Sequence, residues 1–255
     1  MSPTAESCIG WLVHQTADAL LSVLLAPSCA ACNSPLASPT TGPVCEACWS
    51  TVRAITPPVC DACGDPLPAW RPVSRERGLC PRCRRTRRAI DRGRSIGAYD
   101  GTLREIVHAL KYGRRRSLAP RLAELMRERG ADLLRDADCV VPVPLHPRRQ
   151  RSRGFNQARE LARHLELPLI DALARIHHTR PQVELPAGQR HANVRHAFAL
   201  SERSFSLSLV NACVVLVDDV STTGATLEAC ARVLKGAGVR EVRALTAARV
   251  VARRL

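Results

Sequence analysis

Apolar and polar positions follow a helical rhythm soon after residue 100. In residues 102–113 the apolar side chains recur at helical spacing from Leu103 to Leu110, and Gly113 supplies a helix C-cap. Residues 117–130 repeat this design and end in another glycine. We therefore expect two amphipathic helices here.

Short continuous apolar runs then alternate with further helical patterns. Buried strands are predicted over 139–145, 211–220 and 240–252, and helices over 156–166 and 224–238. The arginine-rich stretch after the first strand is predicted to be a loop. This alternation favours an α/β fold in which a parallel sheet carries helices on both faces. In such sheets, ligands bind beyond the carboxyl ends of the strands.

Residues 8–26 are apolar enough to raise the question of a membrane span. His14, Gln15 and Asp18 interrupt the run, and no other segment approaches the roughly 20 apolar residues of a span. A secretion signal would begin with basic residues, and none of the first ten is Lys or Arg. We expect an amphipathic helix packed on the rest of the protein, no membrane span and a cytoplasmic location.

Eight of the twelve cysteines form four Cys-x-x-Cys pairs. The pairs are Cys29/Cys32, Cys45/Cys48, Cys60/Cys63 and Cys80/Cys83. Two thiolates on one tight turn occupy two corners of a tetrahedral zinc site, so two pairs close one site. The four pairs therefore predict one or two structural Zn2+ ions, with sequential pairing favoured over an interleaved cross-brace.

Disulfides and redox chemistry are the alternatives to zinc. A reducing cytosol disfavours disulfides, and four such pairs in series are more typical of a structural module than of a redox motif. The remaining cysteines, Cys8, Cys139, Cys213 and Cys230, lie in apolar surroundings and are predicted to be core residues.

The net charge and its distribution indicate which ligands the protein favours. The formal net charge of the 255 residues is +15, and arginines cluster in 80–88, 114–116 and 148–153. Such clusters favour phosphate-rich ligands or polyanions, although a general bias toward arginine is the plain alternative. Aromatic residues are only 3%, which leaves little for base stacking, while 45% hydrophobic residues support a buried core.

Two adjacent carboxylates, Asp218 and Asp219, come at the end of the second apolar strand, and small hydroxyl residues with Gly224 follow over 221–226. Backbone amides, hydroxyls and a helix N-terminus make such a loop a phosphate site. A Walker A loop is excluded because it needs glycine at Asp219 and lysine at Ala225. The pattern fits a sugar phosphate; an ordinary strand-to-helix turn with threonine caps is the alternative.

The stretch VVLVDDVSTTGAT resembles the phosphoribosyl pyrophosphate (PRPP) motif of type I phosphoribosyltransferases. HALKYGRRR, VPVPLHPRRQRSRGFNQARELA and the series Thr179, Gln182, Arg190, Asn193 and Phe198 resemble the ComF family. The resemblance covers nearly the whole chain from about residue 27. It implies a double zinc-ribbon module (27–90) and a domain of the type I phosphoribosyltransferase fold (91–255), and the expected N-terminal helix (1–26) precedes them. That family includes competence proteins linked to the uptake of transforming DNA.

The resemblance also implies roles for the site residues. Asp218 and Asp219 would hold the ribose 2- and 3-hydroxyls, and Thr222–Thr226 the 5-phosphate. The full set implied to bind PRPP is Val143, Pro144, Leu145, Asp218, Asp219, Val220, Ser221, Thr222, Thr223, Gly224, Ala225 and Thr226, with the first three forming the pyrophosphate loop. Purine-salvage members often carry aspartate at the position of Thr222, so its absence disfavours purine transfer.

The implied reaction is displacement of pyrophosphate from ribose C1, with Mg2+ bridging pyrophosphate and ribose oxygens. Asp218, Asp219 and Arg153 would be the catalytic residues. Candidates for contacts with pyrophosphate or acceptor are Lys111, Arg148, Arg149, Arg151, Asn156, Gln157 and Arg190. The polar segment 177–198 suits a loop that closes over the site. Its histidines, His177, His178, His191 and His196, are interpreted as loop residues.

Two functions remain open at this point. The first is a Mg2+-dependent phosphoribosyltransferase that transfers to an unidentified acceptor, releases pyrophosphate and is linked to DNA uptake. The second is a non-enzymatic single-stranded-DNA-binding or adaptor protein in natural transformation that keeps a PRPP pocket. The expected acceptor hood comprises parts of residues 91–138 and the zinc module, and nothing in those residues identifies the acceptor.

Overall fold

The computed structural model describes residues 5–68, 78–86, 88–176, 197–201 and 209–251, with the side chains of the first helix described from Gln15 onward. Predictions for the closing loop, for Arg190 and for the four loop histidines lie outside these residues, as does the side chain of Cys8. They stay predictions.

The described residues contain nine α-helices and six strands, with two short 3-10 helices at Pro39–Thr41 and Arg116–Leu118. The helices are α1 Ala5–Leu25, α2 Glu46–Ser50, α3 Pro81–Arg85, α4 Gly101–Lys111, α5 Ala119–Arg129, α6 Ala131–Leu134, α7 Pro147–Arg153, α8 Gln157–Ala162 and α9 Ala225–Gly236. The strands are β1 Arg92–Ala98, β2 Cys139–Pro142, β3 Leu173–Arg175, β4 Phe198–Leu200, β5 Cys213–Ser221 and β6 Glu241–Arg249.

Four strands form one parallel sheet in the order β1-β6-β5-β2. The register places Val217 of β5 beside Pro142 of β2 on one side and beside Leu245 of β6 on the other. Residues Cys213–Val217 are fully buried, as expected of a parallel strand covered on both faces. The predicted α/β fold is confirmed.

Helices lie on both faces of this sheet. Ala244 of β6 belongs to a buried apolar cluster with α9, whereas its neighbour Leu245 lies against Gly130 at the end of α5. Because alternate side chains of a strand point to opposite faces, α9 and α5 cover opposite faces. Helix α8 packs on α5 and on strands β2 and β5. The antiparallel pair β3–β4 joins the α9 side through Phe198 and Leu173.

The chain divides into two compact units, residues 1–52 with 100–118 and residues 53–99 with 119–255. In the smaller unit, Asp18 Oδ1 of the predicted N-terminal helix α1 accepts a hydrogen bond from the Thr40 N–H at 2.8 Å. Over the described residues, no helix combines the length and apolar character that crossing a bilayer requires. The predicted domain boundaries after residues 26 and 90 stay a prediction.

The structure departs from the predicted elements in several places. Strand β2 ends at Pro142 and not at residue 145, helix α8 ends at Ala162 and not at residue 166, and the short helices α2, α3 and α6 were not predicted. The arginine-rich stretch predicted as a loop is helix α7, with Pro147 in its first turn and Gly154 in a left-handed conformation (φ 81°) after its end. Strand β1 and the pair β3–β4 were not predicted. The expected core cysteines Cys139, Cys213 and Cys230 are buried, and burial raises the thiol pKa of the first two to about 11.

Candidate functional site

The Cys-x-x-Cys pairs form two four-thiolate clusters. The members are Cys29, Cys32, Cys45 and Cys48 in the first, and Cys60, Cys63, Cys80 and Cys83 in the second. Within each cluster the four sulfur atoms lie within 4.8 Å of one another. The sequential pairing is therefore confirmed.

The sulfur spacing fits zinc. Tetrahedral Zn2+ with Zn–S bonds of about 2.3 Å holds its sulfurs about 3.8 Å apart. The Sγ–Sγ distance is 3.8 Å for Cys29–Cys48 and 3.7 Å for Cys63–Cys80. Hydrogen bonds from Ser34 lower the pKa of the Cys32 thiol to about 6, whereas burial and the neighbouring thiols raise the pKa of Cys48. The described cysteines are free thiols.

The parallel sheet brings the predicted PRPP residues to one edge. Strands β2 and β5 are parallel neighbours, so their carboxyl ends meet there. The Val143 N–H, just beyond β2, donates to the Val217 carbonyl of β5 at 2.9 Å. The predicted pyrophosphate loop, Val143 to Leu145, therefore starts next to the residue that precedes Asp218.

The acid pair lies within the last four residues of β5. Asp219 is 8% exposed and Asp218 is half-buried, and the Asp219 N–H donates to Asp218 Oδ1 at 2.8 Å. Because neighbouring side chains of a strand point to opposite faces, the two carboxylates leave β5 on different faces. Asp218 is the more accessible of the two.

The hydroxyl loop turns directly from β5 into α9. Gly224 adopts a left-handed conformation (φ 75°) at the N-cap, which suits glycine, and its carbonyl accepts the Glu228 N–H at 2.9 Å. Thr223 Oγ1 accepts the Ala225 N–H at 3.3 Å. The hydroxyl of Ser221 is instead buried and accepts a hydrogen bond from Arg249 Nη1 at 3.2 Å. Val220, Thr222 and Thr226 are half-buried.

Helices α7 and α8 follow the predicted pyrophosphate loop. Asn156 caps α8, since its Oδ1 accepts the Ala158 N–H, and its Nδ2 donates to the Val143 carbonyl, both at 3.0 Å. Arg153 Nη1 donates to Oε1 of the buried Gln157 at 3.0 Å. On α7, Arg148 and Arg151 are exposed, and Arg149 is half-buried. Lys111 is the last residue of α4, in the smaller unit, and its role stays a prediction, as do those of Pro144 and Leu145.

Comparison with known proteins shows two matching families of domains. The double zinc ribbon domain matches residues 20–84, and the phosphoribosyl transferase domain matches residues 151–255. Competence protein F of Haemophilus influenzae is 33% identical over 175 residues, 64% of this chain and 75% of that protein. DNA utilization protein YhgH of Salmonella typhi is 33% identical over 228 residues, 84% of this chain and 93% of that protein. The chain belongs to the ComF family.

The ComF-family matches cover the two parts of the site unequally. The acid pair and the hydroxyl loop lie inside the phosphoribosyl transferase match, whereas Val143, Pro144 and Leu145 precede it. Competence protein ComFC of Bacillus subtilis is 28% identical over 201 residues, 75% of this chain and 77% of that protein. This ComF-family chain therefore carries a double zinc ribbon and a phosphoribosyltransferase domain.

One residue at this edge was missed in the sequence. Arg175, at the end of β3, lies 5.3 Å (Cζ to ring centroid) from Phe198. Burial lowers the pKa of Arg175, the charge of Arg149 lowers it further, and Asp218 acts in the opposite direction. Arg175 is therefore within electrostatic range of Arg149 and Asp218. The only sequence signal was an arginine next to an apolar run, which is too common to single out.

Proposed function

We propose that this protein binds PRPP with Mg2+ and transfers its phosphoribosyl group to an acceptor with release of pyrophosphate. The observation that supports this proposal is the carboxyl end of β5, where the half-buried Asp218 is followed directly by the Thr222–Thr226 loop at the start of α9. The names of the relatives, competence and DNA utilization proteins, support a link to DNA uptake.

Each group has a defined task in this proposal. The loop amides and hydroxyls at the start of α9 receive the 5-phosphate. Asp218, assisted by Asp219, accepts hydrogen bonds from the ribose hydroxyls. Residues 143–145 and the arginines Arg149 and Arg153 bind the pyrophosphate, whose negative charge grows as its bond to C1 breaks.

Mg2+ suits this donor set. It needs few protein carboxylates and prefers phosphate oxygens and water, and the accessible carboxylate of Asp218 lies next to the proposed ribose position. When bound, Mg2+ neutralises part of the charge on the pyrophosphate. The protein residues then orient the sugar so that a nucleophile reaches C1 in line with the leaving oxygen.

Titration of the protein with PRPP and Mg2+ by calorimetry tests the binding step. Asp218→Asn is expected to weaken binding about tenfold or more, because a charged hydrogen-bond acceptor is lost, and Asp219→Asn less, since that side chain is more buried. Asp136→Asn removes an exposed carboxylate from the turn before β2, at the other edge of the sheet, and is the matched control. No heat with the wild-type protein would reject the proposal.

Transfer is tested by PRPP-dependent pyrophosphate release with nucleobases, nucleotides and DNA as acceptors. We expect release with one class of acceptor and its loss in Asp218→Asn. PRPP binding without release under any acceptor would favour a protein that keeps the pocket without catalysis.

The second candidate is a single-stranded-DNA-binding or adaptor protein, and the exposed Arg148 and Arg151 of α7 favour it. Replacing both with Gln should lower the slope of log affinity against log salt by about 1 to 2, if each contacts a phosphate. Replacing Arg104 and Arg135 with Gln removes the same charge at exposed positions outside the arginine clusters and is the control. Equal salt slopes in both variants would mean that Arg148 and Arg151 of α7 make no DNA phosphate contact.

A further inference from the structure

The second cysteine cluster is built into the unit that carries the parallel sheet. Its ligands Cys60, Cys63, Cys80 and Cys83 fall in the unit formed by residues 53–99 and 119–255. The Gly93 N–H of β1 donates to the Asp61 carbonyl at 2.9 Å, and a Cβ on Gly64 would lie 2.9 Å from the Gly93 carbonyl oxygen. The backbone of this ribbon therefore packs directly on the backbone of the sheet.

Two arginines connect this ribbon to the hydroxyl loop. Arg82, which lies between Cys80 and Cys83 on α3, donates from Nη2 to the Thr223 carbonyl. Arg249, at the carboxyl end of β6, donates from Nε to Asp65 Oδ1 at 2.5 Å and from Nη1 to Ser221 Oγ at 3.2 Å. Asp65 follows the Cys60/Cys63 pair by two residues. Each cysteine pair of the second cluster thus has its own contact with the loop.

The space between ribbon and loop is too small for a ligand. The cavity lined by Arg82, Arg88, Arg249, Cys63 and Gly224 has a volume of about 20 Å³. A cavity of this size holds about one water molecule. Arg82 and Arg249 contact the loop in this structure, and Arg249 also contacts Asp65 of the ribbon.

Arg82 acts on the direction of one amide. Because a trans peptide is planar, the carbonyl of Thr223 and the N–H of Gly224 point in opposite directions. When the Thr223 carbonyl is held toward Arg82, the Gly224 N–H points away from Arg82, to the other side of the loop. Gly224 has a φ of 75°, and glycine adopts positive and negative φ at similar cost. The peptide between Thr223 and Gly224 can therefore flip easily unless a contact holds it.

We propose that Arg82, Asp65 and Arg249, here called the loop brace, are positioning residues through which the second zinc site sets the shape of the phosphate loop. Helix α3 has only five residues and cannot hold Arg82 in place without its zinc-bound ends. Over the described residues, the brace contacts that reach the zinc ribbons come from Arg82 and Asp65 of the second one. The inference rests on the proposed binding of the 5-phosphate at this loop.

Arg82→Met tests the loop brace, and Arg85→Met is its control, because Arg85 is an exposed arginine of the same helix. Arg82→Met should raise the calorimetric Kd for PRPP with Mg2+ about tenfold, since one hydrogen bond to a charged acceptor loses its orientation. Arg85→Met should change it less than about twofold, because an exposed charge is screened. Zinc content should stay at two ions per chain in both.

Hydrogen exchange of the loop without PRPP separates the brace from the proposed function. Arg82→Met should speed amide exchange in residues 221–226 relative to Arg85→Met. If the wild-type protein does not bind PRPP, the proposed function is wrong. The exchange measurement still shows whether the loop brace holds the loop in place. Equal exchange and equal Kd values in the two variants would overturn the brace.

The coupling must also run in the other direction, because linkage is reciprocal. PRPP with Mg2+ should slow alkylation of Cys60 and Cys80 in the wild-type protein, followed residue by residue by mass spectrometry. Alkylation of Cys29 and Cys45 should keep its rate. Once calorimetry has shown PRPP binding, protection of both clusters to the same degree, or of neither, would contradict the assignment to the second site.

Discussion

Asn156 illustrates how one side chain serves two elements. Its Oδ1 caps α8 by accepting the Ala158 N–H, while its Nδ2 holds the Val143 carbonyl at the start of the predicted pyrophosphate loop. Aspartate can make the first contact but cannot donate the second. The two functions of this amide are therefore separable by substitution.

Asn156→Ala should lower the free energy of unfolding by about 2 kcal/mol, because a helix cap and a hydrogen bond are both lost. Asn156→Asp should lower it by only about 1 kcal/mol, since aspartate keeps the cap. Denaturant unfolding measures both values. Equal losses in the two variants would show that the cap contributes nothing, and no loss in Asn156→Asp would show that the bond to Val143 contributes nothing. The PRPP affinity of Asn156→Asp then tests whether that bond shapes the loop.

Residue-level prediction worked where the chemistry is local. The acid pair and the hydroxyl loop follow one another in sequence, so the motif placed Asp218 and Gly224 at the strand-to-helix turn that the structure shows. Arg175 and Arg249 could not be found in the same way. Their partners lie 28 or more residues away or on another strand, and only the folded sheet brings them together.

At the scale of elements, hydrophobic periodicity found what is long and amphipathic. It gave α4, α5, α9, β5 and β6 to within a few residues. Strand β1 was not predicted because it is rich in glycine and arginine. Part of its contact with β6 is polar, since Ser95 Oγ and Thr246 Oγ1 lie 2.6 Å apart. Helix α7 has no apolar face, and only its terminal Pro147 and Gly154 signalled a helix.

The first residues of β6 carry a pH-dependent contact. Arg243 donates to both carboxylate oxygens of Glu241, from Nε at 2.8 Å and from Nη2 at 3.0 Å. These bonds lower the pKa of Glu241 below its ordinary 4.5. A lowered folded-state pKa gives stability that is complete above pH 4.5 and is lost as the pH falls through the folded-state value.

Glu241→Gln should therefore lower the free energy of unfolding at pH 7 by about 1 kcal/mol, allowing for partial exposure of the pair. The difference from the wild-type protein should shrink below pH 4.5. Chemical unfolding at several pH values measures it, and comparison at each pH cancels the zinc loss that acid causes in both proteins. Glu124→Gln, which removes an exposed carboxylate of α5, is the control. A difference that stays constant with pH would contradict the assigned contact.

At the scale of the whole molecule, the two zinc sites belong to different compact units. The first cluster lies in the unit of residues 1–52 and 100–118, and the second lies with the parallel sheet. The cysteine spacing predicted one or two zinc ions within a single module, residues 27–90, with sequential pairing only favoured. Spacing carries no information about which ribbon shares its contacts with the sheet.

Cys45→Ser and Cys63→Ser are matched ways to remove one site each, since both side chains are half-buried ligands. Each should lower the zinc content from two ions to one per chain, measured by atomic spectroscopy. Zinc binding contributes its free energy to the unit that holds the ligands. Hydrogen exchange should therefore speed up in β5 and β6 of Cys63→Ser and stay unchanged there in Cys45→Ser. Equal loss of protection in both variants would mean that the two units unfold as one, and that the second site has no privileged connection to the sheet.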